Sequence, residues 1–275
     1  MPNTQAERLG ERLGDRLGKL YPFTPMDPDM PEEKREWLAQ GLIMKGKINL
    51  MFGPEKVGKS RVLGWLLLHM IVGEEVWEDM SVMDPGRILY LLGEETQGDL
   101  VDRLRIYSKI IGVDYKKVDW GKKITFCDAS GMRLDQQQQR KWLENEIEKG
   151  KYQTLVVDPI RRVHGARESD NDEMSRIFND FREWTNRSGL TMIMIHHTGK
   201  LREEDDEERI ATWSRGATDL PAVLDWATYV RRSQSGRGRP DSVVIKRAGR
   251  GPGLDPLQLW DHGDKAPGWS LNSDA

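Results

Sequence analysis

The chain has 275 residues, which is room for one sizeable α/β domain with extensions but short for two full ones. Lys and Arg number 42 against 45 Asp and Glu, and the resulting net charge of -3 excludes a uniformly basic nucleic-acid binder while permitting a local basic patch. A lone cysteine, Cys127, excludes an internal disulfide, and no Cys/His spacing suits zinc; no apolar run nears the roughly 20 residues of a membrane span and no apolar signal region opens the chain, so no membrane contact and a cytoplasmic setting are expected.

The first segment, "ERLGERLGDRLGKL", repeats a four-residue unit with Leu9, Leu13 and Leu17 in step. On a helix these leucines form a drifting stripe, but Gly10, Gly14 and Gly18 each weaken that helix by about 1 kcal/mol. A frayed leader and a helix docking on a neighbouring subunit are both open readings. "YPFTPMDPDMP" follows, where Pro22, Pro25, Pro28 and Pro31 fix φ and remove donors, so an extended linker is expected. Residues 1–30 therefore read as an extension and 31–275 as the folded domain.

From there strands and helices alternate. "KINLMF" (47–52) is a strand, and the apolar helix "RVLGWLLLHMIV" (61–72) follows a loop. "RILYLL" (87–92) leads to a helix from Thr96 carrying Leu100, Val101, Leu104 and Tyr107 at helical spacing. "ITFC" (124–127) precedes a helix that opens at Asp135 as N-cap, carries Trp142, Leu143 and Ile147, and stops at Gly150. "TLVV" (154–157) precedes a helix with Met174, Ile177, Phe178, Phe181 and Trp184 on one face, and "TMIMI" (191–195) is the fifth strand. Nearly continuous apolar strands alternating with helices predict a parallel sheet covered on both faces. "REEDDEER" (202–209) reads as a solvated loop, and "ATYVRR" and "DSVVIKR" as strands flanking the turn "SQSGRGRP".

Strand ends carry the chemistry. "GPEKVGKS" fits the phosphate-loop spacing between a strand and a helix. Gly53, Pro54, Glu55, Lys56, Val57 and Gly58 supply backbone N–H groups around phosphate oxygens, with Arg61 just beyond. Lys59 would reach the β- and γ-phosphates of ATP, and Ser60 would ligate Mg²⁺. Asp158 ends a strand where ligands of such sheets sit, so it can face the metal through water; capping a turn is the alternative. Glu94 and Glu95 end another strand. One could orient and deprotonate an attacking water while the other caps the next helix, or both could simply complement its dipole. His196 and His197 end the fifth strand on the same edge. Neighbours on a strand point to opposite faces, which disfavours a shared metal, and leaves a sensor of the γ-phosphate or a structural pair.

Together, "KINLMFGPEKVGKS", "ILYLLGEET", "LVVDPI", "IHHTGK" and "SRGATDL" resemble the RecA-fold ATPases of the RepA-like hexameric helicase group, over residues from about 36 to 250. The resemblance implies an α/β, RecA-like P-loop core, with a mostly parallel sheet covered by helices and a C-terminal antiparallel hairpin. It implies a homo-oligomeric, hexameric ring that hydrolyses ATP with Mg²⁺ and acts on single-stranded DNA. It assigns Lys59 and Ser60 to phosphate and metal, Asp158 to the metal, Glu94 to catalysis and His197 to sensing the γ-phosphate.

The chain departs from the group where an arginine finger is expected, for the matching position is Asp225, which cannot stabilise phosphate charge. Arg231, Arg232, Lys246 and Arg247 are candidates for that trans-acting role, a solvated basic hairpin being the alternative. Arg161, Arg162 and Arg167 fall where RecA-fold rings place a pore loop and could neutralise DNA phosphates. The acidic run at 202–209 would repel DNA unless it folds away. A replicative-type DNA helicase is thus expected, with an ATP-gated recombination or annealing mediator, or a loader that does not translocate, as the alternative. A small-molecule kinase is the weakest reading, because no lid-like arginine cluster stands out.

Overall fold

Strands that are apolar on both sides need cover on both sides, and the structure, a computed structural model, provides it. It describes residues 25–29, 34–77, 80–165, 171–198, 224–232, 242–249, 251–261 and 269–271. The leucine repeat, Arg167 and the acidic run lie outside these residues. The chain divides into two units, Met1–Lys34 and Arg35–Ala275, and the second holds the elements that follow.

A short antiparallel pair, β1 (Trp37–Ala39) and β2 (Ile43–Met44), precedes the main sheet. Then come β3 (Ile48–Pro54), α1 (Lys59–Val72), β4 (Ile88–Leu92), α2 (Gln97–Ile110), α3 (Trp120–Lys123), β5 (Ile124–Asp128), α4 (Gln137–Gly150), β6 (Thr154–Asp158), α5 (Asn171–Ser188) and β7 (Thr191–Thr198). β8 (Trp226–Arg232), β9 (Ser242–Gly249), β10 (Gly251–Asp261) and β11 (Trp269–Ser270) complete the order. Among the described residues six strands run parallel in the spatial order β5-β4-β6-β7-β3-β8, and β9, β10 and β11 extend that sheet antiparallel beyond β8.

Alternation along each strand divides the core in two. Leu50, Leu155 and Met194 pack with Leu143 of α4 and Phe178 of α5 on one face. Met51, Val156 and Ile193 pack with Leu66 of α1 and Leu104 of α2 on the other. Each face buries large side chains at about 25 cal/mol per Å², so a one-residue register slip would exchange the two cores.

Helix starts follow local chemistry in one case and long-range contacts in another. Thr96 caps α2 in a capping box with Asp99. The helix expected to open at Asp135 begins instead at Gln137, with Gln136 at the cap position. Asp135 accepts a hydrogen bond from the Gly165 amide at 2.7 Å, so a contact with a distant loop claims the carboxylate.

The strands expected to form a C-terminal hairpin are antiparallel partners, yet β8 also pairs in parallel with β3 and so belongs to the central sheet. Asp225 fixes where β8 starts. Its buried carboxylate accepts the Ile48 amide at 2.9 Å and Arg182 Nη1 at 2.8 Å. A residue so committed is an anchor between β3, β8 and α5. Among the described residues no helix is long and apolar enough to cross a membrane.

Candidate functional site

Parallel strands deliver their carboxyl ends to one edge. There Gly53 of β3 lies opposite His197 of β7, and Leu92 of β4 opposite Asp158 of β6. The chain leaves β3 through the glycine-rich loop and leaves β4 through Gly93, Glu94 and Glu95. A cavity of about 680 Å³ opens at this edge, a size suited to a nucleotide.

Backbone geometry makes the loop. Gly53 has φ +152°, and a Cβ there would overlap the Val230 carbonyl oxygen, so only glycine fits. Gly58 has φ +101° and begins α1 without a side-chain cap, which leaves first-turn N–H groups for an anion. Lys59 is buried; its Nζ donates to the carbonyls of Gly53 at 2.8 Å and Pro54 at 2.6 Å and sits 3.1 Å from His197 Nδ1. Burial lowers its pKa to about 8, against the pull of Asp158, Glu55 and Glu94.

Asp158 is buried below the loop, where it accepts the Tyr90 hydroxyl at 2.8 Å and the hydroxyl of Ser60. Burial raises its pKa to about 6, while these hydrogen bonds pull it down. Mg²⁺ prefers oxygen donors and takes few from protein when phosphates supply the rest. The Ser60 hydroxyl and Asp158 carboxylate are such donors. Two such oxygens fit an ion that takes its remaining donors from a nucleotide, and among the described residues no cluster of three or more His, Cys, Asp or Glu able to hold a metal occurs.

The adjacent glutamates have different partners. Glu95 is gripped by the Arg103 guanidinium, with bonds of 2.7 and 3.0 Å. Glu94, with 41% of its side chain exposed, borders the cavity and meets Arg162 Nε at 2.9 Å and His197 Nε2 at 3.4 Å. Burial acts to raise the Glu94 pKa, but the Arg162 hydrogen bond and the neighbouring His197 hold it below the usual carboxylate range.

Strand alternation separates the histidines. His196 is half-buried, and its loss of solvent pushes its pKa down to about 4. His197 turns to the loop, and burial and then Lys59 lower its pKa, favouring the neutral ring at pH 7. With Lys59 donating to Nδ1, the ring proton belongs on Nε2, facing Glu94.

On the far side of the cavity Arg61, which follows the phosphate loop, meets residues that local sequence patterns do not flag. Arg61 forms two bonds with Asp261, at 2.6 and 3.0 Å, and lies 5.6 Å from the centre of the Trp269 ring. Trp77 Nε1 donates to the Trp269 carbonyl at 2.7 Å, tying β11 to the core. Asp261 is 200 residues from Arg61, and no motif joins them.

The basic candidates are dispersed. Arg161 and Arg162 lie in the 3-10 turn Ile160–Arg162 after β6; Arg161 is exposed, whereas Arg162 joins Glu94 at the cavity. Arg231 and Arg232 end β8, and Arg232 borders the same cavity with Nη2 3.5 Å from the Lys56 carbonyl. Lys246 and Arg247 lie mid-strand opposite Tyr229 and Thr228, and Arg247 donates to the Asp255 carbonyl.

A protein family described as an AAA domain matches residues 19–203. Among solved structures, the chain is similar to one whose title describes an ATPase domain, with a TM-score of 0.62 and 13% identity, covering 99% of this chain and 100% of that one. This likeness is one of fold, a RecA-like core with a mostly parallel sheet. No curated protein matches the chain.

Proposed function

This chain belongs to the AAA domain family, and from that premise we propose that it is an ATP-hydrolysing, ring-forming DNA motor of the replicative-helicase type, acting on single-stranded DNA in the cytoplasm. The observation that supports hydrolysis best is the chain of contacts Lys59–His197–Glu94 beside the phosphate loop. A phosphate-binding cation, a neutral imidazole and a carboxylate stand in series, the parts needed to detect a γ-phosphate and activate a water against it.

Lys59 exchanges its carbonyl partners for β- and γ-phosphate oxygens. Glu94 accepts a proton from the attacking water. His197, touching both, relates the position of Lys59 to that of Glu94. Ser60 and Asp158 would hold Mg²⁺, which would supply positive charge to offset that of the phosphates. Glu95, gripped by Arg103, shapes the site. In this reading residues 1–30 form an extension to the 31–275 domain, protomers assemble as a hexamer, and one of Arg231, Arg232, Lys246 and Arg247 meets a neighbour. Arg161, exposed in the turn after β6, is the candidate to meet DNA phosphates.

The test is ATP turnover with and without single-stranded DNA, paired with unwinding of a forked duplex. DNA-stimulated turnover together with unwinding is expected. ATPase activity indifferent to DNA would overturn the DNA part of the proposal, and stimulation without unwinding would mean a DNA-gated switch.

A further inference from the structure

The site contains an arginine that the expected finger position does not supply. Asp225 occupies that position and is committed to Ile48 and Arg182. Arg162, by contrast, leaves β6 four residues after Asp158 in the compact turn Ile160–Arg162. Its backbone is held close to the end of β4. A Cβ on Gly93 would lie 2.7 Å from Arg162 Cβ and 3.1 Å from the Asp158 carbonyl oxygen, and the Gly93 amide donates to that oxygen at 2.8 Å. This near-contact brings Arg162 beside Glu94.

Among the described residues only one donor of the Arg162 guanidinium is engaged, Nε with Glu94 at 2.9 Å. Its two Nη groups make no hydrogen bond among the described residues; the side chain is 60% exposed and borders the cavity. A guanidinium anchored by one edge with a free fork is arranged to receive a second anion.

We propose that Arg162 is a catalytic residue acting in cis, its Nε anchored on Glu94 and its Nη groups on the γ-phosphate of ATP bound to its own phosphate loop. This rests on the ATPase reading above. In the step, Glu94 takes a proton from water as the water oxygen bonds to the γ-phosphorus. The bond from that phosphorus to the β,γ-bridging oxygen breaks, its electron pair leaves with ADP, and inorganic phosphate forms. Negative charge on the transferring group is what a guanidinium stabilises. As Glu94 becomes protonated its hold on Arg162 weakens, so the cation is released toward the phosphate when it is needed.

The test uses the full chain with Arg162→Ala, Arg162→Lys, Lys59→Ala, and a co-expressed mixture of Arg162→Ala with Lys59→Ala protomers. Arg162→Ala is expected to lower kcat by about 10²-fold or more while KM for ATP and the melting temperature hold. Arg162→Lys should recover little, since an ammonium cannot keep one edge on Glu94 and a fork on phosphate. The mixture should stay inactive, because a cis residue cannot be lent to a neighbour. Recovery in the mixture would make Arg162 a trans residue and overturn the proposal. Faster basal turnover in Arg162→Ala, making it a restraint on Glu94, would also overturn it, as would unchanged basal turnover with loss of DNA stimulation. Failure of the underlying ATPase reading is separate: Lys59→Ala would then turn over ATP like the wild type.

Discussion

Beside the phosphate loop, Glu94 is divided between Arg162 at 2.9 Å and His197 at 3.4 Å; across the cavity, Arg61 closes on Asp261 with bonds of 2.6 and 3.0 Å and the Trp269 ring nearby. The first wall also holds Lys59 with its pKa lowered to about 8 by burial and Asp158 with its pKa raised to about 6 by burial. Displaced and shared charges are ones that a ligand can rebalance. The closed pair on the second wall already has its balance. The contrast assigns chemistry to the wall made by β4, β6 and β7, and shape to the wall made by β10 and β11.

Five variants press on this contrast. The largest effect belongs to Lys59→Ala, which should reduce ATP turnover to background; turnover within a factor of about two of wild type would dissolve the first wall as a nucleotide site. Next is Glu94→Gln, expected to bind ATP almost normally and hydrolyse it at least about 10²-fold more slowly. Glu95→Gln, measured alongside, should lower the melting temperature through loss of the Arg103 fork. If it carries the turnover loss instead, the base is one residue along.

On the second wall, Asp261→Asn should cost about 1 kcal/mol of stability, a modest figure because Arg61 is 39% exposed. Turnover should stay within a factor of about two, and a tenfold fall in kcat would erase the distinction between the walls. The smallest effect is in pH. Because burial raises the Asp158 pKa from 3.8 to about 6, the folded state favours the protonated carboxyl. Its stabilising contribution is complete below pH of about 4 and is lost as pH rises through about 6. Thermal melts across that window should show wild type losing stability relative to Asp158→Asn. Parallel curves would mean that burial does not govern this carboxylate.

The legibility of these features depends on how far apart in sequence their causes lie. The parallel strands show in the sequence because burial on both faces leaves nearly unbroken apolar runs such as "KINLMF" and "TMIMI". β10 does not, for Pro252 and Pro256 interrupt its pattern and its register with β9 is irregular. β1 and β2, at 3 and 2 residues, are too short to display a period. The phosphate loop is local and therefore readable. Glu94 and Glu95 are equivalent as adjacent letters, and it is Arg103 that separates them. Arg162 reads as a basic loop residue, while its partner Glu94 lies 68 positions away. Asp225 looks like a missing finger until Arg182, 43 positions upstream, explains it.

The absent side chain at Gly53 has a mechanical meaning. Because the Val230 carbonyl fills the space that a methyl group would need, β8 rests directly against the hinge of the phosphate loop. β8 is also laddered to β3 before this point and ends at Arg232, which reaches back to the Lys56 carbonyl. Loop and strand thus form a rigid coupling, in which a pull on the C-terminal strands reaches the loop through hard contact, independent of salt or pH. Any substituent at this position would act as a wedge, prising the strand from its neighbour before it touched a phosphate.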